Sequence, residues 1–150
     1  MSDNAARQEH LYRGTTRNWP GNPVLQKIAV TPTSMDPVVA ALFAVRCRRF
    51  GEAILQLAPF DALSGKIGQA NVFKELECEV AIELAPTDFT SMVVYTITAM
   101  EAHQALETMG IEIPRSIATA GDLTYHLKNS PRMSKEDIMK FDELVRKMQP

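Results

Sequence analysis

Phe73-Lys74-Glu75-Leu76-Glu77-Cys78-Glu79-Val80-Ala81-Ile82-Glu83-Leu84 alternates with a period of two. The period predicts a strand with Leu76, Cys78, Val80, Ile82 and Leu84 on one face and Glu75, Glu77, Glu79 and Glu83 on the other. The even positions suit a core and the odd ones a surface. Carboxylates two residues apart on one strand face repel each other and add nothing to stability. Such a face is either a solvated surface or a site, and the rest of the chain decides between them.

A chain of 150 residues with 45% apolar and 23% charged residues fits one soluble domain with a sizeable core. The formal net charge of −2 provides no global basic field to hold nucleic acid or an anionic membrane. Cys47 and Cys78 make no disulfide framework, and no Cys/His cluster has zinc-ligand spacing, so no metal is expected. The polar start reads as no secretory signal, and no apolar run approaches the roughly 20 residues that cross a bilayer. A reducing, cytoplasmic setting without membrane association is the expectation.

In chain order, His10-Leu11-Tyr12-Arg13-Gly14-Thr15 predicts a short strand. Thr16 to Pro23 is dense in turn formers, and Val24 to Val30 returns to a strand-like run. Asp36 and Pro37 have the chemistry of an N-cap and a first helical residue. The helix they open is apolar almost all round, which predicts burial, and ends in Arg46, Arg48, Arg49 and Gly51. Those arginines read as charges at a helix C-terminus rather than as a nucleic-acid patch. Ala53 to Ala58 predicts another strand, 60–72 a loop, and Phe89 to Ile97 a strand after the acidic one. Helices are expected over 98–110, 114–128 and 134–148, the last burying Ile138, Phe141, Leu144, Val145 and Met148. Phe43 reads as core, and His103 and His126 receive no role.

Three features stand in order: Tyr12-Arg13-Gly14 in a strand, Thr31-Pro32-Thr33-Ser34 before a buried helix, and Glu77-Cys78-Glu79 in the acidic strand. Together they resemble the arginine/Ser-Thr-Ser/Glu class of ADP-ribosyltransferases, over about residues 10–90. The resemblance implies an α+β domain with a split, mostly antiparallel sheet: one domain over 1–150, its motif-bearing core about 10–97, its C-terminal part about 98–150 helical. It implies a mono-ADP-ribosyltransferase that consumes NAD, releases nicotinamide and needs no metal.

The residue roles follow from the same resemblance. Glu79 would stabilise the oxocarbenium-like ribose as nicotinamide leaves, and Glu77 would orient or deprotonate the acceptor. Arg13 would grip pyrophosphate or ribose through its fork, and Gly14 would let its backbone approach the nicotinamide amide. Thr33 and Ser34 would hold Glu79 and the ribose, with Tyr12 and His10 completing the cofactor-binding set. Pro32 stands at the triplet's first position, which is a departure from the family pattern. By spacing alone Glu75/Glu77 also fits the acidic motif; the apolar run from Val80 to Pro86 favours Glu77/Glu79. The implied partners are NAD, an acceptor (an arginine side chain or a nucleic-acid base) and, for a toxin or phage effector, a neutralising antitoxin. NAD hydrolysis with water as acceptor, and a non-catalytic module on the same fold, are the alternatives.

Overall fold

The structure is a computed structural model that describes residues 8–17, 31–48, 51–67 and 79–149. Glu75, Glu77, Cys78 and the run Val24–Val30 lie outside the described residues. The order of elements is β1 (His10–Thr16), β2 (Thr31–Ser34), α1 (Pro37–Cys47), β3 (Ala53–Pro59), α2 (Phe60–Leu63), β4 (Glu79–Ile82), α3 (Pro86–Ser91), β5 (Tyr95–Thr98), α4 (Ala99–Thr108), α5 (Ala120–Asn129) and α6 (Lys135–Met148), with a 3₁₀ turn at Ser64–Lys66. The fold is α+β. Its five strands form one antiparallel sheet in the order β4-β2-β1-β3-β5.

The sheet is not paired evenly. β1 runs beside β3 from His10↔Pro59 to Thr16↔Ala53, and β2 beside β4 from Thr31↔Ile82 to Ser34↔Glu79. Between β1 and β2 the register holds the single pair Tyr12↔Ser34. Pro32 contributes to this contrast, because a proline inside a strand has no N–H to donate to a neighbour.

The pleat sorts the side chains into two cores. Tyr12, Leu55, Leu57 and Ile97 meet α1, α4 and α6 on one face, and this core also takes Ile111, Ile113, Ile117 and Phe141. Leu11, Ala58, Val80 and Ile82 meet Leu63 of α2 and Phe89 of α3 on the other face. The alternation of the acidic strand appears in its described part: Val80 and Ile82 are buried while Glu83 is exposed. Phe141 is wholly buried, edge-on to Tyr12 with ring centroids 6.0 Å apart. Phe141→Ala is therefore expected to cost about 3–5 kcal/mol, measured as a fall in the urea midpoint at unchanged m-value.

The N-cap reading at Asp36 holds. Its Oδ1 accepts from Val38 N at 2.8 Å, and its Oδ2 accepts from Met133 N at 3.0 Å, tying the segment before α6 to the start of α1. Burial pushes the Asp36 carboxyl up from its usual range, against those two amide bonds that favour the charged form. Asp36→Ala removes the cap and leaves the buried Met133 N–H unpaired. The expected loss is about 2–4 kcal/mol by chemical denaturation, with Asp36→Asn in between because it keeps one acceptor.

Three sequence expectations need correction. Phe89 to Ile97 is not one strand: Pro86, at the first helical position, opens α3, and Phe89 points into the second core, which leaves only Tyr95–Thr98 in the sheet. The predicted loop after Pro59 contains α2 and the 3₁₀ turn. The helix expected from Pro114 starts only at Ala120, where the Thr119 hydroxyl accepts from Asp122 N; before it the chain buries Ile111, Ile113 and Ile117 without helix. α4 is closed at both ends, by a Thr98/Glu101 capping box and by Gly110 at φ +82°.

Candidate functional site

The three strands that carry the motifs are neighbours. β1 bears Arg13, β2 bears Thr33 and Ser34, β4 begins at Glu79, and the sheet sets them side by side as β4-β2-β1. The backbone of Glu79 is in register with Ser34, and Ser34 with Tyr12. Residues 45 positions apart thus become direct cross-strand neighbours (34 to 79). Glu77 is outside the described residues.

Register also separates what the sequence reading joined. Tyr12, Ser34 and position 79 form one cross-strand row. Arg13 belongs to the next row, opposite Gln56, and successive rows face opposite sides of a sheet. The two motif residues therefore do not sit on one face. Arg13 is only 7% exposed. Its Nη1 donates to Gln56 Oε1 at 3.2 Å, and its Cζ lies 5.9 Å from the centroid of the Phe89 ring. Gln56 in turn donates to Thr90 Oγ1 at 3.3 Å. Burial draws the Arg13 pKa down to about 10, which still leaves it charged at neutral pH. In place of an open fork for pyrophosphate, the structure has a buried guanidinium bracing β1 against β3 and α3.

The other residues of the set are also tied into the fold. Thr33 Oγ1 donates to Val80 O at 2.7 Å, and Thr31 Oγ1 to Leu84 O at 2.8 Å, so both hydroxyls clamp β2 onto β4 and its exit. Ser34 Oγ accepts from Asp36 N at 3.0 Å and shapes the turn into α1. Gly14 meets α1: a Cβ there would lie 2.0 Å from Ala40 O and 2.4 Å from Ala44 N. The helix backbone occupies the space a side chain would take at position 14. On the face of the Ser34–Glu79 row, Pro32 is exposed and Ala81 half-buried. Ser34 itself is buried on this face, as are Thr31, Thr33, Val80 and Ile82 on the opposite one.

The structure adds one constellation that the sequence reading did not find. His10 and Tyr12, both on β1, converge on Asp142 of α6. Tyr12 OH donates to Asp142 Oδ1 at 2.5 Å, and His10 Nδ1 is 3.2 Å from Asp142 Oδ2. Burial first, and the neighbouring Asp142 carboxylate second, hold the Tyr12 phenol well above its ordinary pKa, so it stays a donor. The signal was the acidic residue inside an apolar helix stripe, Phe141-Asp142 between Ile138 and Val145, because a carboxylate is seldom buried unless paired. His10 is thus placed in a buried polar cluster with the C-terminal helix.

Arg46 and Arg48 donate to the carbonyls of Ala118 and Arg115, at 3.1 and 2.8 Å, pinning the segment before α5. Their sequence assignment as charges at the end of α1 is sharpened, not replaced. Among the described residues no helix is long and apolar enough to cross a membrane. Comparison of the chain with protein-family models, with curated proteins and with solved structures finds no match.

Proposed function

We propose that this chain is an NAD-dependent mono-ADP-ribosyltransferase whose reacting centre is Glu79, at the start of β4 beside Ser34 of β2. One observation carries the reading: Arg13, the Thr33-Ser34 pair and Glu79, far apart along the chain, fall on three adjacent strands, with Glu79 and Ser34 in register. In the reaction the bond between the ribose carbon and nicotinamide breaks, its electron pair leaves on the nicotinamide ring nitrogen, and the carbon becomes oxocarbenium-like. Glu79 stabilises that positive charge. The acceptor attacks the same carbon and gives its proton to Glu77.

Arg13 has a different part from the one its motif suggests. Buried behind the sheet, it is a positioning residue that holds β1 through Gln56 and Phe89. Thr33 likewise fixes β4 against β2, and so sets where Glu79 begins. The acceptor is an arginine side chain or a nucleic-acid base, the former favoured by the match of Glu77 to a guanidinium.

Glu77→Gln is expected to abolish transfer to the acceptor while nicotinamide release into water continues within about tenfold of the parent rate. Following both products with and without acceptor separates transfer from NAD hydrolysis. A glycohydrolase would show no effect of Glu77→Gln on either. A second reading, a non-catalytic module, is favoured by Pro32 and by the engagement of the Thr33 and Ser34 hydroxyls in the backbone. Calorimetry with NAD decides it: the transferase reading predicts saturable binding, and absence of binding selects the module.

A further inference from the structure

We infer that Glu9, His10 and Asp142 form a binding site for a divalent first-row transition metal, Zn²⁺ above all, that staples the C-terminal helix to the first strand. One ligand atom from each of the three lies within 4.8 Å of those of the other two. His10 and Asp142 are 7% and 2% exposed. His10 Nδ1 and Asp142 Oδ2 are both buried without a hydrogen-bond partner, although they are 3.2 Å apart. The pair is close but misdirected for a hydrogen bond. Two ligands on one tetrahedral ion, with bonds of about 2.0–2.1 Å, stand roughly 3.3 Å from each other. The separation therefore fits a shared ion, and an unpaired buried nitrogen facing an unpaired buried carboxylate oxygen is what an ion would satisfy.

The surroundings supply what a metal site needs. Tyr12 OH holds the other oxygen of Asp142, which fixes the carboxylate's orientation as outer-shell partners do at metal centres. Tyr95 lies edge-on to the His10 ring at 5.8 Å and limits its rotation. Glu9 is exposed, and Arg146, which also pairs with Glu143, is 3.8 Å away. An imidazole with two carboxylates suits Zn²⁺, Co²⁺ or Ni²⁺ better than Mg²⁺ or Ca²⁺, which prefer oxygen alone. Water would fill the fourth position. Ligands from residues 9–10 and 142 close nearly the whole chain, so binding stabilises the fold.

The test uses the full, untagged chain stripped by a chelator and titrated with Zn²⁺, and separately with Co²⁺. One equivalent is expected to bind and to raise Tm by about 5–10 °C when free Zn²⁺ is near 100 times Kd. Co²⁺ is expected to give the visible bands of a four-coordinate ion. Glu9→Gln, an exposed change that leaves the fold intact, is expected to weaken binding about tenfold or more, and His10→Gln to remove it. Absence of saturable binding would overturn the inference. So would unchanged stoichiometry and affinity in Glu9→Gln, since the ion would then sit elsewhere, at Cys47, Cys78 or His103. Should His10→Gln fail to fold, Glu9→Gln decides alone.

Discussion

Glu79→Gln is expected to lower nicotinamide release from NAD by about 10²–10³-fold, the effect of removing one preorganised electrostatic group from a reacting centre. The substitution preserves size and shape and removes only the charge. Position 79 opens β4 opposite Ser34, and the described strand continues through Val80 and Ile82, which are anchored in the second core. The change should therefore leave the strand in place, with Tm within about 2 °C of the parent. Substrate affinity measured by calorimetry should fall far less than the rate, because the lost interaction belongs to the transition state. A large rate loss with unchanged Tm and near-unchanged affinity is the expected pattern. Equal losses in all three would assign Glu79 to folding.

Gly14→Ala is expected to destabilise the chain by about 3 kcal/mol or more, measured by urea unfolding. One methyl group would press on Ala40 O at 2.0 Å, Ala44 N at 2.4 Å and Ala44 Cα at 3.0 Å. All three are backbone atoms of a helix that is buried along most of its length, so no side chain can swing away. Relief requires α1 to move off β1, which would unpack Val38, Leu42 and Val45 from the first core. Small residues at 40, 41 and 44 let the helix approach this closely in the parent chain. Had Gly14 served only to admit a ligand, Gly14→Ala would spare stability and affect NAD binding alone.

Much of the fold was legible because it rests on local signals. The short strand runs at His10–Thr15 and Ala53–Ala58, the Asp36-Pro37 start and the Ser134 cap each encode their element in a few residues. Phe89 misled because its burial is tertiary: an aromatic residue among Val93, Val94 and Tyr95 has strand character, yet Pro86 three residues earlier had already set a helix. The site was legible as a set of strands but not as faces. Which side of a sheet Arg13 takes depends on the pairing of β1 with β2 and β3, and a shift of one residue inverts it. Asp142 was invisible as a partner of Tyr12 because 130 positions separate them and no local pattern links them.

The central claim is that Glu79 drives cleavage of NAD and hands ADP-ribose to an acceptor. The most direct measurement incubates the purified chain, and its Glu79→Gln variant, with NAD labelled in the adenosine half and a cell extract, and counts released nicotinamide against label bound to macromolecules. The account predicts that the parent releases one nicotinamide for each label attached and that the variant does neither above background. Equal release from parent and variant, or none from either, would contradict it.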